Sequence, residues 1–425
     1  MLLSDSCILI TATIDAVRLK CRHSYTKLIN ISKMRRILSR NPFTAEVRQE
    51  FNYLSNAELD QKLDRAEKAY EVHSKRTILE RAALIKRLGE SIEKRFKDAS
   101  ECITWEMGKP ITDSRGEVSK AIRFCKYYSE NYAPILPQLV QSEAKKQTMV
   151  KYLPLGTIYY LIPFNYPFYL NFKGGLPNLL LGNVLLARNA DSCPNVGRIV
   201  EECMIDAGLG NGEYQNVYTN YEQMDQIFER NSVCGVSFTG SSRGGALIAE
   251  KAGKHLKRSV MELGGNDPFI VLDDGDVNKA VTFALAGRCA NAGQVCFSPK
   301  RFIIHKNHYE AFRKGLIEGL SKIPFGDPML ETTRMGPLAR QDLADNLNQQ
   351  LKSLPKSYKI TWQRTEMKAP FFPITVIEGS DEPWDEELFG PVFQLFRIED
   401  DAHAIRLANS GSYGLGGSVF SAARG

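Results

Sequence analysis

Cys296 ends a run of small and polar residues, Asn291-Ala292-Gly293-Gln294-Val295. A catalytic thiol needs access, and nearby N–H groups or cations that favour its thiolate form. The small side chains before Cys296 would give that access, so the pattern indicates a candidate nucleophile. The chain has nine cysteines, and spacing alone leaves open the alternative of a buried structural cysteine.

A candidate base and a candidate amide donor occur elsewhere in the chain. Glu262 lies in the segment M-E-L-G-G (261–265), where apolar neighbours would raise the pKa of its carboxyl group and suit it to act as a general base near neutral pH. Asn165 lies between Pro163 and Pro167, and its NH₂ group could donate to an oxyanion from that stiff loop. A salt-bridged carboxylate and an ordinary turn asparagine are the alternatives.

Two further segments have the composition of a nucleotide site. The turn F-T-G-S-S-R-G-G (238–245) follows a predicted strand and opens a predicted helix, where unpaired N–H groups can bind phosphate. The segment E-E-L-F-G-P (386–391) offers an acid for ribose hydroxyls and a ring for stacking. Each motif also fits an ordinary turn or loop. Together, however, the four groups supply a nucleophile, a base, an oxyanion donor and a dinucleotide site.

The elements that must position these groups alternate between helix and strand. Helical periodicity begins at Asn56, and one long helix is predicted from Leu79 to Ile103. Strands are predicted at 156–162, 179–187, 233–238, 268–272 and 301–305, and helices at 117–132, 196–207, 246–254 and 277–289. Residues 352–373 read as an irregular surface insertion. This alternation predicts an α/β protein with parallel sheets covered on both faces.

Composition and charge exclude several classes. The chain has 425 residues, of which 43% are hydrophobic, with a net charge of +6, so it is globular and gives no reason to predict a nucleic-acid partner. No apolar run is long enough to predict a membrane span.

The cysteines include no C-x-x-C pair, so we predict no metal site, no disulfide framework and a reducing compartment. The basic segment 1–40 is predicted to be a disordered or targeting extension, which leaves the cytoplasm and the mitochondrial matrix as candidate locations.

Five motifs, in this order, resemble the aldehyde dehydrogenase superfamily. They are I-P-F-N-Y-P-F (162–168), F-T-G-S (238–241), M-E-L-G-G-N-D-P (261–268), G-Q-V-C (293–296) and E-E-L-F-G-P-V (386–392). The resemblance extends from about Asn41 to the end of the sequence. Two further segments, E-M-G-K-P-I (106–111) and G-E-V-S-K-A (116–121), most resemble the succinate-semialdehyde dehydrogenase group.

The resemblance implies a role for each candidate residue. Cys296 would attack an aldehyde, Asn165 would hold the oxyanion, and Glu262 would activate the water that hydrolyses the thioester. Ser241 would meet the pyrophosphate, and Glu387 the nicotinamide ribose. The remaining residues implied for the cofactor site are Phe164, Arg188, Asp191, Gly240, Gly245, Leu263 and Phe389.

The resemblance also bears on cofactor and substrate. Asp191 falls where many NAD-preferring members carry Glu, and a carboxylate there would repel a 2′-phosphate, which favours NAD while leaving NADP open. Lys173, eight residues after Asn165, falls where the succinate-semialdehyde group carries an Arg that pairs with the distal carboxylate. Lys173 and Tyr166 are therefore the expected substrate contacts, and an acidic semialdehyde is the expected substrate.

The fold implied is a Rossmann-like NAD-binding domain (41–139 and 155–263), oligomerisation strands (140–154) and an α/β catalytic domain (264–425). The family continues past the strand near 415–420, so the β-hairpin element that serves oligomerisation is expected to be incomplete and the homo-oligomer weakened. Two functions stay open at this point: an active NAD(P)-dependent aldehyde dehydrogenase, and a truncated, non-catalytic relative that at most binds nucleotide. A third, phosphorylating or CoA-acylating chemistry on the same scaffold, is less favoured because Glu262 implies hydrolysis.

Overall fold

The structure, a computed structural model, describes residues 36–143, 146–379 and 384–423. Its strands are β1 (Ile37–Arg40), β2 (Val47–Phe51), β3 (Gln138–Glu143), β4 (Lys146–Val150), β5 (Thr157–Ile162), β6 (Val184–Asn189), β7 (Tyr214–Asn216), β8 (Val233–Thr239), β9 (Arg258–Glu262), β10 (Pro268–Val271), β11 (Arg301–His305), β12 (Lys359–Gln363), β13 (Thr375–Glu378), β14 (Val392–Ile398) and β15 (Ser418–Phe420). Its helices are α1 (Asn56–His73), α2 (Ile78–Lys94), α3 (Phe96–Met107), α4 (Ile111–Glu130), α5 (Tyr169–Leu181), α6 (Pro194–Asp206), α7 (Met224–Glu229), α8 (Ser242–Lys254), α9 (Val277–Cys289), α10 (Lys306–Ser321), α11 (Gln341–Lys352) and α12 (Asp401–Ala408). Two short 3₁₀ turns lie at Ala133–Ile135 and Ala290–Gly293.

Two sheets carry the architecture. The first has the order β7-β6-β5-β8-β9, and all its neighbouring strands are parallel. The second has the order β12-β13-β14-β11-β10-β15 and is parallel except for the antiparallel edge pair β12/β13. Every residue of β5 and of β11 is buried, as expected for parallel strands with helices on both faces. The predicted α/β class is confirmed.

Two separate hairpins complete the fold. β1 pairs with β2, and β3 pairs with β4, each as a two-stranded antiparallel sheet. Apolar side chains of the second hairpin, Leu139, Val140 and Met149, are exposed. Its role in oligomerisation and the predicted domain limits stay predictions.

The N-terminal extension is predicted to reach residue 40, but β1 already begins at Ile37. Residues 1–35 lie outside the described residues.

Three sequence predictions differ from the structure. The helix predicted over 79–103 is two helices, because Arg95 leaves helical geometry (φ −100°, ψ 14°) and its guanidinium binds Asp206. The strand predicted over 179–187 is the end of α5 followed by β6, since periodicity cannot separate a buried helix from a buried strand in a continuous apolar run. The irregular segment 352–373 contains β12, and it buries Tyr358, Met367 and Phe372.

Glu106 is a fully buried carboxylate that caps a helix from outside. It accepts the N–H groups of Asn195 (3.0 Å) and Val196 (3.1 Å) at the start of α6, which has no side-chain cap of its own. Burial raises the pKa of Glu106 from its ordinary value of 4.5 to about 7, because the desolvation of the carboxylate outweighs these hydrogen bonds.

This shift predicts a pH dependence of stability. The folded-state pKa lies above the unfolded one, so the contribution of Glu106 to the free energy of unfolding is complete below pH 4.5 and is lost as the pH rises through about 7. The loss is of the order of 3 kcal/mol. Glu106→Gln should flatten the pH dependence of unfolding between these values, measured by urea titration. An unchanged slope in the variant would contradict the assignment.

Candidate active site

A cavity of about 1160 Å³ brings the predicted motifs together. It is lined by every predicted site residue except Asp191 and Gly245. Those lining residues are Phe164, Asn165, Tyr166, Lys173, Arg188, Gly240, Ser241, Glu262, Leu263, Cys296, Glu387 and Phe389. They come from the carboxyl ends of strands in the first sheet and from loops of the second. The cavity is therefore where parallel-sheet proteins usually place a site.

Cys296 follows a tight left-handed turn. Asn291, Ala292 and Gly293 have φ values of 51°, 53° and 74°. A left-handed conformation is unfavourable for alanine. At Gly293 any side chain is excluded, because a Cβ atom would lie 2.3 Å from the carbonyl oxygen of Gly390. The turn is held by the Asn291 side chain, which donates to the backbone oxygen of Asn165 at 3.0 Å. The loops of the thiol and of the amide donor are thus joined directly.

The electrostatic surroundings of Cys296 act in opposite directions. Burial raises the pKa of the half-buried thiol, while the nearby Lys300 ammonium and the Phe297 N–H group lower it. Lys300 is fully buried and donates to the carbonyl oxygens of Val295, Cys296 and Ser298. Burial also lowers the pKa of Lys300 to about 8. Burial is the largest of these effects, so the pKa of the Cys296 thiol is raised overall, and the Lys300 ammonium limits that rise.

Asn165 is buried, and its side-chain NH₂ group donates to the carbonyl oxygen of Gln294 at 3.0 Å. That bond uses one of the two amide hydrogens, and the second is available to a ligand. Gln294 is itself fixed, since its side chain donates to Asn291 and accepts from the Ala339 N–H group. The amide is consequently held next to the peptide that leads to Cys296.

Glu262 ends β9, and its surroundings differ from the sequence expectation. Its side chain is 46% exposed and lies 3.5 Å from the Nζ atom of Lys173, so it forms an ion pair rather than lying among apolar neighbours. Lys173 was expected to meet a substrate carboxylate, and the structure places it beside the candidate base. Both groups nevertheless line the cavity.

The nucleotide-like turn lies between β8 and α8. Ser241 is the N-cap of α8, and its hydroxyl accepts the Gly244 N–H group at 3.1 Å. The start of α8 opens on the cavity through Ser241, Ser242 and Arg243, which suits an anion. Gly245, one turn further on, is absent from the lining. Its Cα atom packs against Leu263, where a Cβ atom would come within 2.4 Å of the Leu263 side chain. Gly245 therefore allows close packing and makes no direct contact with the cavity.

Arg188 and Asp191 interact with each other. The Arg188 guanidinium donates to Asp191 at 2.9 Å and to the Thr219 carbonyl oxygen at 2.8 Å. The second Asp191 oxygen accepts the Tyr53 hydroxyl at 2.8 Å. Arg188 lines the cavity and Asp191 does not. Sequence reasoning did not find Tyr53, because its contact spans well over a hundred residues of chain.

Glu387 and Phe389 also line the cavity. A Glu387 oxygen accepts the Gly265 N–H group at 3.2 Å and lies 3.5 Å from the Nζ atom of Lys300. Burial raises the pKa of Glu387, and Lys300 opposes that shift. The ring of Phe389 meets the ring of Phe164 edge-on, with centroids 6.1 Å apart. The predicted acid and the predicted aromatic ring thus both line the cavity.

Sequence reasoning missed several cations at this site, among them Lys300 and Lys120. Lys300 lies four residues after Cys296, just beyond the end of the motif G-Q-V-C (293–296). Lys120 lies in G-E-V-S-K-A, lines the cavity, and places its ammonium 4.1 Å from the centroid of the Tyr169 ring. The burial of Lys300 and the position of Lys120 at the cavity both depend on tertiary contacts. The local sequence pattern therefore could not indicate either of them.

The described ranges contain neither a cluster of metal-binding side chains nor a helix that could cross a membrane. Across 36–143, 146–379 and 384–423, three or more His, Cys, Asp or Glu side chains never come together in a way that could hold a metal ion. Over the same ranges, the helices are too short or too polar to cross a membrane.

Comparison with known proteins shows the family to which the chain belongs. The model of the aldehyde dehydrogenase family matches residues 29–425. The chain is 37% identical over 387 residues to a succinate-semialdehyde dehydrogenase (NADP(+)) of Deinococcus radiodurans, covering 90% of this chain and 81% of that protein. It is 33% identical to the succinate semialdehyde dehydrogenase (NAD(P)+) Sad of Escherichia coli, covering 90% and 84%.

A solved structure shows the same likeness. The succinic semialdehyde dehydrogenase from Streptococcus pyogenes, in complex with NADP+, superposes with a TM-score of 0.87 at 31% identity, covering 91% of this chain and 87% of that one. The chain belongs to the aldehyde dehydrogenase family. Within that family it is similar to enzymes named for succinate semialdehyde.

Proposed function

We propose that this chain oxidises an aldehyde to a carboxylic acid with NAD(P)+ through a cysteine thioester. The observation that carries the proposal is the single cavity lined by Cys296, Asn165, Glu262 and the start of α8. Each of these supplies one requirement of the reaction: a nucleophile, an oxyanion donor, a base and an anion-binding helix end. The family membership supports the same reaction class.

The chain's own residues would act in sequence. The Cys296 thiolate forms a C–S bond with the aldehyde carbon, and the oxyanion is stabilised by the free amide hydrogen of Asn165 and by the Cys296 N–H group. A bound nicotinamide would supply the acceptor for the hydride that leaves this carbon. The resulting thioester is hydrolysed by water, whose proton passes to Glu262, and the C–S bond breaks to return the thiolate.

The residues present fit a dinucleotide. The start of α8 presents backbone N–H groups to the cavity, Arg188 adds a cation, and Glu387 with Phe389 offers a carboxylate and a ring. Asp191 should repel a 2′-phosphate less than its sequence position suggests, because Arg188 and Tyr53 engage its two oxygens. We therefore propose that both NAD and NADP are used, in keeping with the cofactors in the names of the relatives.

We further propose that the substrate is an acidic semialdehyde. Lys173 and Lys120 both line the cavity, so the wall around the nucleophile carries two ammonium groups. A distal carboxylate would pair with them by charge-assisted hydrogen bonds. Binding would also give Lys173 a second partner besides Glu262, so that substrate and base share one cation.

Lys173→Ala should impair carboxylated aldehydes selectively. Losing a charge-assisted bond costs roughly 1.5–3 kcal/mol, which corresponds to about tenfold or more in kcat/KM. Short aliphatic and aromatic aldehydes should be affected much less. Lys254→Ala is the control, since Lys254 is exposed on α8 and lies outside the cavity lining. An equal loss for all aldehydes would contradict the carboxylate contact.

The function itself is tested by an aldehyde panel. Short aliphatic, aromatic and semialdehyde substrates are each supplied with NAD and with NADP, and reduced dinucleotide and free acid are quantified. The proposal expects both products in equal amounts, with the semialdehyde best. Binding of dinucleotide without oxidation of any aldehyde would overturn it.

A further inference from the structure

A buried ion pair lies behind the loop that carries Asn165. The Nζ atom of Lys109 is 2.5 Å from Glu117 Oε2, and the two side chains are 1% and 0% exposed. Lys109 follows α3, and Glu117 lies in the first half of α4. Neither residue lines the cavity. Both come from the two segments that resemble the succinate-semialdehyde group, and the proposed reaction gives neither of them a role.

Stability does not explain this pair. Transferring two charges out of water costs several kcal/mol each, and buried pairs are often replaced by apolar residues without loss of stability. A buried pair that makes directed contacts, in contrast, can fix the geometry of what it touches. The contacts of Lys109 and Glu117 are therefore the informative feature.

Glu117 fixes the end of the Asn165 loop. Its Oε1 atom accepts the N–H groups of Phe168 (2.8 Å) and Tyr169 (2.9 Å), where α5 begins. Phe168 occupies the N-cap position of α5 and gives it no side-chain cap. A helix start without a local cap leaves its N–H groups unsatisfied unless another element supplies an acceptor. Here Glu117 supplies it from α4.

Lys109 fixes the middle of the same loop. Its ammonium lies 4.0 Å from the centroid of the Tyr166 ring, within range of a cation–π interaction. Tyr166 follows Asn165 directly, and the carbonyl oxygen of Asn165 accepts the Asn291 side chain of the turn before Cys296. The ion pair thus contacts residues on the α5 side of Asn165, and the nucleophile's own turn contacts Asn165 itself.

We propose that Lys109 and Glu117 are positioning residues. By anchoring the loop that carries Asn165, they hold its side-chain amide at the correct position relative to Cys296. The inference rests on the proposed role of Asn165 as the oxyanion donor. It goes beyond the proposed function because it assigns a task to two residues that touch neither substrate nor dinucleotide.

Glu117→Gln is the first variant. Glutamine keeps an oxygen for the two N–H groups but leaves Lys109 without a counter-charge. We expect kcat to fall roughly 100-fold, as for a displacement of about 1 Å at a reacting centre. The KM for aldehyde and the dissociation constant for dinucleotide should change little. The rate at which iodoacetamide alkylates Cys296 should also persist, because alkylation develops no oxyanion.

The double variant Lys109→Met with Glu117→Gln removes the unpaired buried charge. It should regain the Tm of the unaltered chain while kcat remains low, because no ion pair then fixes the loop. This variant also serves if Glu117→Gln alone does not fold. Glu106→Gln is the matched control: it alters another fully buried carboxylate that caps a helix start, and it should leave kcat per dinucleotide-binding site unchanged.

The outcomes separate the two proposals. If the unaltered chain forms no reduced dinucleotide with any aldehyde, the proposed function fails. If the unaltered chain is active, two results overturn the inference: recovery of both Tm and kcat in the double variant, or an equal loss of kcat in Glu106→Gln. Low kcat with near-normal Tm in the double variant, and normal kcat in Glu106→Gln, supports it.

Discussion

Cys296→Ala is expected to lower the rate of reduced-dinucleotide formation by at least about 10⁴-fold, a loss of the size seen when a covalent nucleophile is removed. Cys296 is the one described cysteine that lines the cavity, and Cys234, the other described cysteine that is partly exposed, is outside the lining. The dissociation constant for dinucleotide should be nearly unchanged, which shows that the fold survives.

The matched control is Cys234→Ala. It removes a second half-buried thiol, which donates to the backbone oxygens of Asn231 and Ser232, and it should retain the full rate. Undiminished turnover by Cys296→Ala, with normal turnover of the control, would reject Cys296 as the nucleophile.

Glu262→Gln is expected to separate the two halves of the reaction. Glutamine keeps the shape but cannot take a proton from water, so the thioester should accumulate and the steady-state kcat should fall about 10²–10⁴-fold. The first turnover does not need this base. A rapid burst of reduced dinucleotide, close to one equivalent per site, should therefore persist in a stopped-flow trace.

The control for this variant is Glu250→Gln, an exposed carboxylate on α8. It should leave both the burst and the steady state unchanged. If Glu262→Gln lost the burst in proportion to its steady-state rate, Glu262 would act before the thioester forms. Unchanged steady-state turnover would remove it from the mechanism.

The sequence predicted the groups at the site better than their surroundings. Cys296, Asn165 and Ser241 occupy turns at which prolines and glycines limit the backbone, so the local pattern carries the information. The Glu262–Lys173 ion pair could not be predicted, because it joins the end of β9 to α5 across almost ninety residues. Asp191 was implied by the family resemblance, but its orientation depends on the distant Tyr53 hydroxyl.

For the fold, too, some elements could be predicted from the sequence and others could not. Strands β5, β8 and β11 were recognised because each is a short apolar run with clear turn residues at its ends. Helix α5 was missed because both its faces are largely buried and Pro177 lies inside it, so it has no amphipathic period. The edge strand β12 was missed because it is short, half-exposed and bulged between Ile360 and Trp362. Local sequence patterns therefore fail to indicate elements that are buried on all sides and contacts between residues that are distant in sequence.

The most direct test of the account is mass spectrometry of Glu262→Gln, quenched after mixing with succinate semialdehyde and NADP or NAD. We expect one acyl group per chain on the peptide that contains Cys296, in proportion to the reduced dinucleotide formed in the burst. Reduced dinucleotide formed without an acyl group on Cys296, or with the acyl group on a different cysteine, would contradict it.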